Sequence, residues 1–252
     1  MSGRRLKTAF VLGAGLGTRL RPLTDSCPKP LLPLGGRPII THAMDHLLTV
    51  GVDRFIVNTH SFPDMYDRTF PDGLWRGVPV IFRNEPALLD TGGGLKNIED
   101  LIGGDEAILC YNGDVIADFP LEPLCALHNR ERPEVTLVLR SSGHPLNVDI
   151  DKAGDVCDIR RTFGKAGSQS CLFTGVYAVE TSILRYIEAG RAESIVPVLL
   201  RRIAVMPGSV KAVVIDEGEW HDVGAIGTYE RLSAASAAGL SAGTGEGCDG
   251  KP

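Results

Sequence analysis

The chain has 252 residues, 43% of them hydrophobic and 23% charged, a balance that excludes disorder over most of its length and favours one large globular domain. The formal net charge of −5 argues against a nucleic-acid partner, although a local basic pocket would still take a small polyanion. No apolar run approaches the roughly 18 residues of a membrane span, so no membrane partner is expected.

In chain order, Arg4, Arg5 and Lys7 precede a short apolar run that meets Gly13-Ala14-Gly15 at once. That run is too short for a signal peptide and reads as the first strand, 6–12, of a cytoplasmic protein. Residues 54–58, 78–82 and 107–111 are further strands, rich in Val, Ile and Phe and too continuous to be half exposed. Helical spacing marks 39–50, stopped by Gly51, and then 95–102 and 121–128. Strand–helix alternation implies α/β architecture: a Rossmann-like, mostly parallel sheet flanked by helices. After Glu134 the pattern changes. Strands at 135–140, 148–150, 156–159, 172–179 and 210–215 and a helix at 193–203 predict a smaller, antiparallel extension of the same sheet. Pro197 fits that helix only in its first turn. From Ser236 the composition is Ala, Gly, Ser and Thr, and a frayed tail is expected over 236–252.

Three glycines in five residues, Gly13, Gly15 and Gly17, follow the first strand. Such a loop lets backbone N–H groups turn toward a phosphate. Thr18 breaks the dinucleotide fingerprint, and no Gly-Lys-Ser/Thr P-loop occurs. Arg19 and the Pro28-Lys29-Pro30 unit supply two cations suited to a triphosphate, the first as a fork and the second as a point charge. Asn112-Gly113-Asp114 follows the strand 107–111, and Trp220-His221-Asp222 follows the last strand. Carboxylates at strand ends point into the ligand crevice of an open α/β sheet, and two of them would suit Mg²⁺ completed by phosphate oxygens and water. Each Asp could also cap a turn or helix. Asp90-Thr91-Gly92-Gly93-Gly94, between a strand and a helix, allows a close backbone approach at which a base edge could be read. The alternative there is a plain connector. His42 and His46 share a helix face, but no His-Glu-x-x-His pattern or third ligand accompanies them, so satisfied side chains are expected rather than zinc. The six cysteines lack paired spacing and read as incidental thiols.

The run Gly13-Ala14-Gly15-Leu16-Gly17-Thr18-Arg19-Leu20, with Pro22-Leu23-Thr24 and Pro28-Lys29-Pro30, resembles the signature of the sugar-1-phosphate nucleotidyltransferases, or NDP-sugar pyrophosphorylases. The similarity reaches roughly Leu232, and Gly13 stands where the family usually has Ala. The loop at 91–94 is most similar to that of the N-acetylmuramate-1-phosphate uridylyltransferases and also resembles that of the mannose- and heptose-1-phosphate guanylyltransferases. The resemblance implies one domain over 1–235, with 1–133 mainly nucleotide-binding and 134–235 mainly sugar-binding. It implies condensation of a nucleoside triphosphate with a sugar 1-phosphate, the loop at 91–94 leaning to UTP and GTP being the alternative. It further implies Arg19, Lys29, Asp114 and Asp222 as catalytic residues, with Mg²⁺ on Asp114 and Asp222. Nucleotide contacts would come from Leu12, Gly13, Ala14, Gly15, Gly17, Thr18, Glu85, Gly92, Gly93 and Asn112. Sugar contacts would come from Asn147, Thr174, Gly175 and Glu193, although Glu193 could equally cap the helix it begins. Lys165 lacks the preceding Glu of the hexose enzymes, leaving the ligand of the sugar phosphate open. A cytidylyltransferase acting on a non-sugar phosphate is disfavoured because only 6% of the chain is aromatic. A non-catalytic nucleotide sensor is disfavoured because all four charged residues are present. The oligomeric state stays open.

Overall fold

The computed structural model describes residues 6–103 and 107–243. Its first half alternates strand and helix: β1 (Thr8–Leu12), the short pair β2 (Pro33–Leu34) and β3 (Arg37–Pro38), α1 (Ile39–Leu48), β4 (Arg54–Thr59) and α2 (Pro63–Thr69). There follow β5 (Leu74–Trp75), β6 (Val78–Asn84), α3 (Asp90–Asn97), α4 (Glu99–Ile102), β7 (Ala107–Asn112), β8 (Val115–Ala117) and α5 (Glu122–Glu131). The second half holds β9 (Val135–Arg140), β10 (Val148–Ile150), β11 (Val156–Ile159) and the long β12 (Gln169–Glu180). It ends with α6 (Ile195–Val205), β13 (Val210–Val214), β14 (Trp220–Asp222) and α7 (Ile226–Gly243).

Both halves share one sheet. β1 lies at its centre, parallel to β4 and β7, and β4 is parallel to β6. β12 runs antiparallel to β7 and carries the sheet into the second half, pairing with β9 and, at its start, with β10. The extension is antiparallel as expected except that β13 lies parallel to β9.

The continuous apolar strands are buried on both faces, and alternation assigns each side chain to a face. Phe10, Ile56, Ile108 and Cys110 pack with Leu95, Ile98, Leu199 and Ile203 from α3, α6 and the segment after α3. Ala9, Val11, Phe55 and Val57 pack with Ile40, Met44, Leu47 and Tyr66 from α1 and α2. Burial of each large side chain contributes about 1.5–3 kcal/mol, so the central strands form a stiff floor at whose carboxyl edge loops can be held.

Three expectations change. The helix predicted over 95–102 begins at Asp90 and takes in all three glycines, with a break before α4. The helix predicted from Glu193 starts at Ile195, with Ser194 as its cap and Pro197 in the first turn. At the other end, α7 runs through Ser236 to Gly243 instead of fraying, and Ser236 Oγ donates to Leu232 O at 2.9 Å. The remainder of the expected tail, 244–252, lies outside the described residues. No described helix is long and apolar enough to cross a membrane, and the five described cysteines are unpaired thiols.

Candidate active site at the carboxyl edge of the sheet

A cavity of about 570 Å³ opens where β1, β4, β6 and β7 end, lined among others by Leu12, Ala14, Gly15, Lys29, Asn58, Glu85, Asn112 and Asp114. The side of it formed by the glycine loop is assembled by close backbone approaches. Gly17 has φ +61°, and a Cβ there would lie 3.0 Å from Lys29 Cβ, so only glycine lets the stem of Lys29 pass. Pro28 and Pro30 flank Lys29 in a single 3-10 turn, and its side chain is buried against the cavity. Gly113 donates to Leu12 O at 3.0 Å, which draws the end of β7 onto β1 and turns Asp114 toward Lys29. The ammonium of Lys29 and Asp114 Oδ2 form an ion pair.

Asp222 reaches the same place from more than a hundred residues away. β14 pairs antiparallel with β8, with Asp222 opposite Val115, and Val223 N–H donates to Asp114 O at 2.9 Å. A methyl built on Gly224 would lie 2.8 Å from Arg19 Nη2 and 2.9 Å from Asp222 Oδ1, so guanidinium and carboxylate meet over one glycine. Asp222 is open to solvent along the cleft. Desolvation by the surrounding protein and the charge of Asp114 nevertheless hold its carboxyl above the usual carboxylate range, against the lowering pull of Lys29 and Arg19. Arg19, Lys29, Asp114 and Asp222 are thus brought together.

Two neighbouring carboxylates, one of them with its proton affinity raised by burial and by the other, are a donor set for a hard divalent cation. Among the described residues no cluster of three or more His, Cys, Asp or Glu side chains could hold a metal. A pair of Asp residues completed by water and phosphate fits Mg²⁺ and not a closed zinc site. His42 and His46 are each satisfied within the protein, the first by Arg37 and Leu34 O, the second by Tyr111 and Phe119 O.

The opposite wall departs from expectation. Gly92 and Gly93 both spend their N–H groups on Glu193 O, at 2.8 and 2.9 Å. A Cβ at Gly93 would sit 2.4 Å from Arg191 O. These glycines therefore serve close packing of the 191–194 segment on α3, and their N–H groups are not offered to a base. Packing overrides the helix cost of about 1 kcal/mol per glycine. Gly13 is likewise committed: its N–H donates to Asn58 Oδ1 at 2.8 Å and its carbonyl accepts from Tyr66 Oη at 3.2 Å. A Cβ at Gly13 would lie 2.8 Å from Asn58 O, so the departure from Ala is required by β4. Gly15 is open, with nothing within 4 Å of its Cβ position, and Thr18 is exposed beside it.

The residues expected at the sugar are dispersed. The space at Gly175, φ +81°, is taken by the side chain of Asn112, whose Nδ2 lies 2.5 Å from the Cβ position; it is not left for a ring. Thr174 is buried, its hydroxyl donating to Val138 O and accepting from Val176 N–H. The Glu193 carboxylate pairs with Arg201 at 2.6 Å. Asn147 lines a separate cavity of about 40 Å³ with Arg160 and Phe173. Asn58 was not singled out from the sequence, although a polar residue at the end of a buried apolar run, as Asn112 is in β7, is its signal.

Comparison with known proteins agrees with this architecture. The mannose-1-phosphate guanylyltransferase of Mycobacterium tuberculosis is 32% identical over 241 residues, covering 92% of this chain and 65% of that protein. The mannose-1-phosphate guanyltransferase of Gibberella zeae is 32% identical over 231 residues, covering 85% of this chain and 60% of that protein. The chain thus spans less than two thirds of the length of the curated relatives it matches. The solved structure of an inositol-1-phosphate CTP transferase from T. maritima superposes with a TM-score of 0.75 over 96% of this chain and 98% of that one, at 18% identity, and shows the same fold. A model of the family described as "Nucleotidyl transferase" matches residues 8–238, and the chain belongs to that family.

Proposed function

We propose that the protein condenses GTP with a sugar 1-phosphate, giving a GDP-sugar and pyrophosphate. The observation that carries the reading is the meeting of Arg19, Lys29, Asp114 and Asp222 at one edge of a cavity large enough for a nucleotide.

An oxygen of the sugar phosphate attacks the α-phosphorus in line; the new P–O bond forms as the bond to the β-phosphate oxygen breaks, and pyrophosphate carries away the electron pair. The attacking oxygen is already ionised at neutral pH, so the protein's task is alignment and charge neutralisation. Arg19 faces the departing pyrophosphate, while Lys29 balances charge at the α-phosphate. Asp114 and Asp222 would hold Mg²⁺, which would supply positive charge against the repulsion of the phosphates.

The choice of GTP rests on two supports. The curated relatives named above are guanylyltransferases. Asp90, exposed at the cavity, accepts from Thr91 N–H at 2.6 Å through one carboxylate oxygen. A carboxylate only accepts hydrogen bonds; guanine offers adjacent N–H donors, whereas the single uracil N–H is flanked by carbonyls that a carboxylate repels. The expectation of UTP came from the likeness of the 91–94 loop to that of the uridylyltransferases, and these curated relatives do not support it. Mannose 1-phosphate is the first acceptor to test. The experiment is pyrophosphate release by the full chain with Mg²⁺, four nucleoside triphosphates and a panel of sugar 1-phosphates. GTP should be turned over fastest. Preference for UTP would overturn the base assignment, and silence across the panel would overturn the activity.

A further inference from the structure

Asn58 and Glu85 are almost fully buried polar side chains, 3% and 0% exposed, in the wall of the nucleotide cavity. They form one continuous chain of hydrogen bonds. Gly13 N–H donates to Asn58 Oδ1 at 2.8 Å, Asn58 Nδ2 donates to Glu85 Oε1 at 2.8 Å, and Leu89 N–H donates to Glu85 Oε2 at 3.0 Å. The amide has one workable orientation, because the glycine needs an oxygen and the carboxylate needs a donor. The backbone of Glu85 is itself fixed, its N–H on Thr59 O at 2.7 Å and its carbonyl 2.7 Å from His60 Nδ1. The far side of the glycine loop is held by Tyr66 Oη on Gly13 O. Gly94 closes the chain from α3, since a Cβ there would sit 2.9 Å from both Asn58 Nδ2 and Glu85 Oε1.

We propose that Asn58 and Glu85 are positioning residues: a buried relay that ties the glycine loop to the 86–91 loop on the opposite side of the cavity, so that the walls meeting the phosphates and the base are held in fixed relation. This deepens the function proposed above and rests on its placing of the triphosphate at the glycine loop. Glu85, expected from the sequence to contact the nucleotide, acts through Asn58 and Leu89, with both oxygens already engaged. A buried chain of this kind is costly to leave half satisfied.

The test exploits its polarity. Asn58→Asp places two carboxylates side by side and removes the donor; Glu85→Gln sets an amide N–H against either Asn58 Nδ2 or Leu89 N–H. The double variant N58D/E85Q reverses donor and acceptor in the middle bond and restores all three. Binding of inorganic tripolyphosphate with Mg²⁺ is measured for the full chain, together with the KM for GTP and for the sugar 1-phosphate. Each single variant should weaken tripolyphosphate binding and raise the GTP KM about tenfold, and the double variant should return both to within about threefold of wild type. The KM for the sugar phosphate should stay near wild type throughout. Absence of tripolyphosphate binding by the wild type, unaffected single variants, a double variant no better than the singles, or equal rises in both KM values would each overturn the relay. Tripolyphosphate binding that follows the predicted pattern without turnover of any nucleotide would overturn the proposed activity and leave the relay standing.

Discussion

The two walls of the cavity use similar residues in opposite ways. On one, Arg19, Lys29, Asp114 and Asp222 are drawn together with like charges close enough to raise the proton affinity of Asp222. On the other, Asn58, Glu85, Gly92 and Gly93 have their polar groups engaged by the protein itself. The first wall is electrostatically incomplete and asks for a ligand; the second is complete and serves as scaffold. Substitutions on the first should therefore cost function without stability, and those at the tightest points of the second should cost stability.

The largest expected effect is that of Asp222→Asn. Turnover should fall about 10³-fold, the scale of losing a metal-held transition state, while Tm stays level or rises because one of two neighbouring like charges is gone. A thermal scan beside a pyrophosphate assay checks both, and a parallel loss of Tm would erase the contrast between the walls. Next comes Gly93→Ala, whose new methyl meets the Arg191 carbonyl at 2.4 Å. Overpacking against backbone should cost about 2 kcal/mol, or about 4–8 °C in Tm. Gly15→Ala sharpens the comparison from the other side: its methyl meets nothing within 4 Å, so Tm should hold while the GTP KM rises about fivefold, a loss near 1 kcal/mol.

The smallest effect tests the scaffold behind β8. His46 is buried between Tyr111 and Phe119. Burial holds its pKa below the ordinary histidine value, against raising contributions from the Phe119 carbonyl, Asp118 and Glu122. The unfolded chain therefore binds the proton more readily than the fold does. Stability is complete above the ordinary value near pH 6.5 and declines as pH falls through it toward the folded pKa. His46→Gln should flatten the dependence of Tm on pH between roughly 7.5 and 5.5; an unchanged slope would show that another group titrates.

The central strands were legible because each is a local run of β-branched and aromatic residues, as in Thr8–Leu12 and Ala107–Asn112. The charged quartet was legible because each member sits beside a local marker: a glycine loop, a proline pair, or a strand end. What brings Asp222 to Asp114, the pairing of β14 with β8, is a contact between remote segments that local pattern does not carry. Gly92 and Gly93 misled for a related reason. Glycine serves an open ligand loop and a crowded helix equally well, and the crowding comes from residues 191–194, a hundred positions away. Gly175 is the same case, emptied for Asn112 across the β7–β12 pair. Asn58 stayed unnoticed because its partners are equally remote.

The central claim is that Asp114 and Asp222 share one divalent ion beside a bound triphosphate. Titrating Mn²⁺ into the full chain saturated with GTP, with free ion followed by electron paramagnetic resonance, tests it directly. The prediction is one protein-held ion per chain whose affinity falls to that of free GTP when either aspartate is replaced by asparagine. Mn²⁺ binding that is indifferent to both replacements would contradict it.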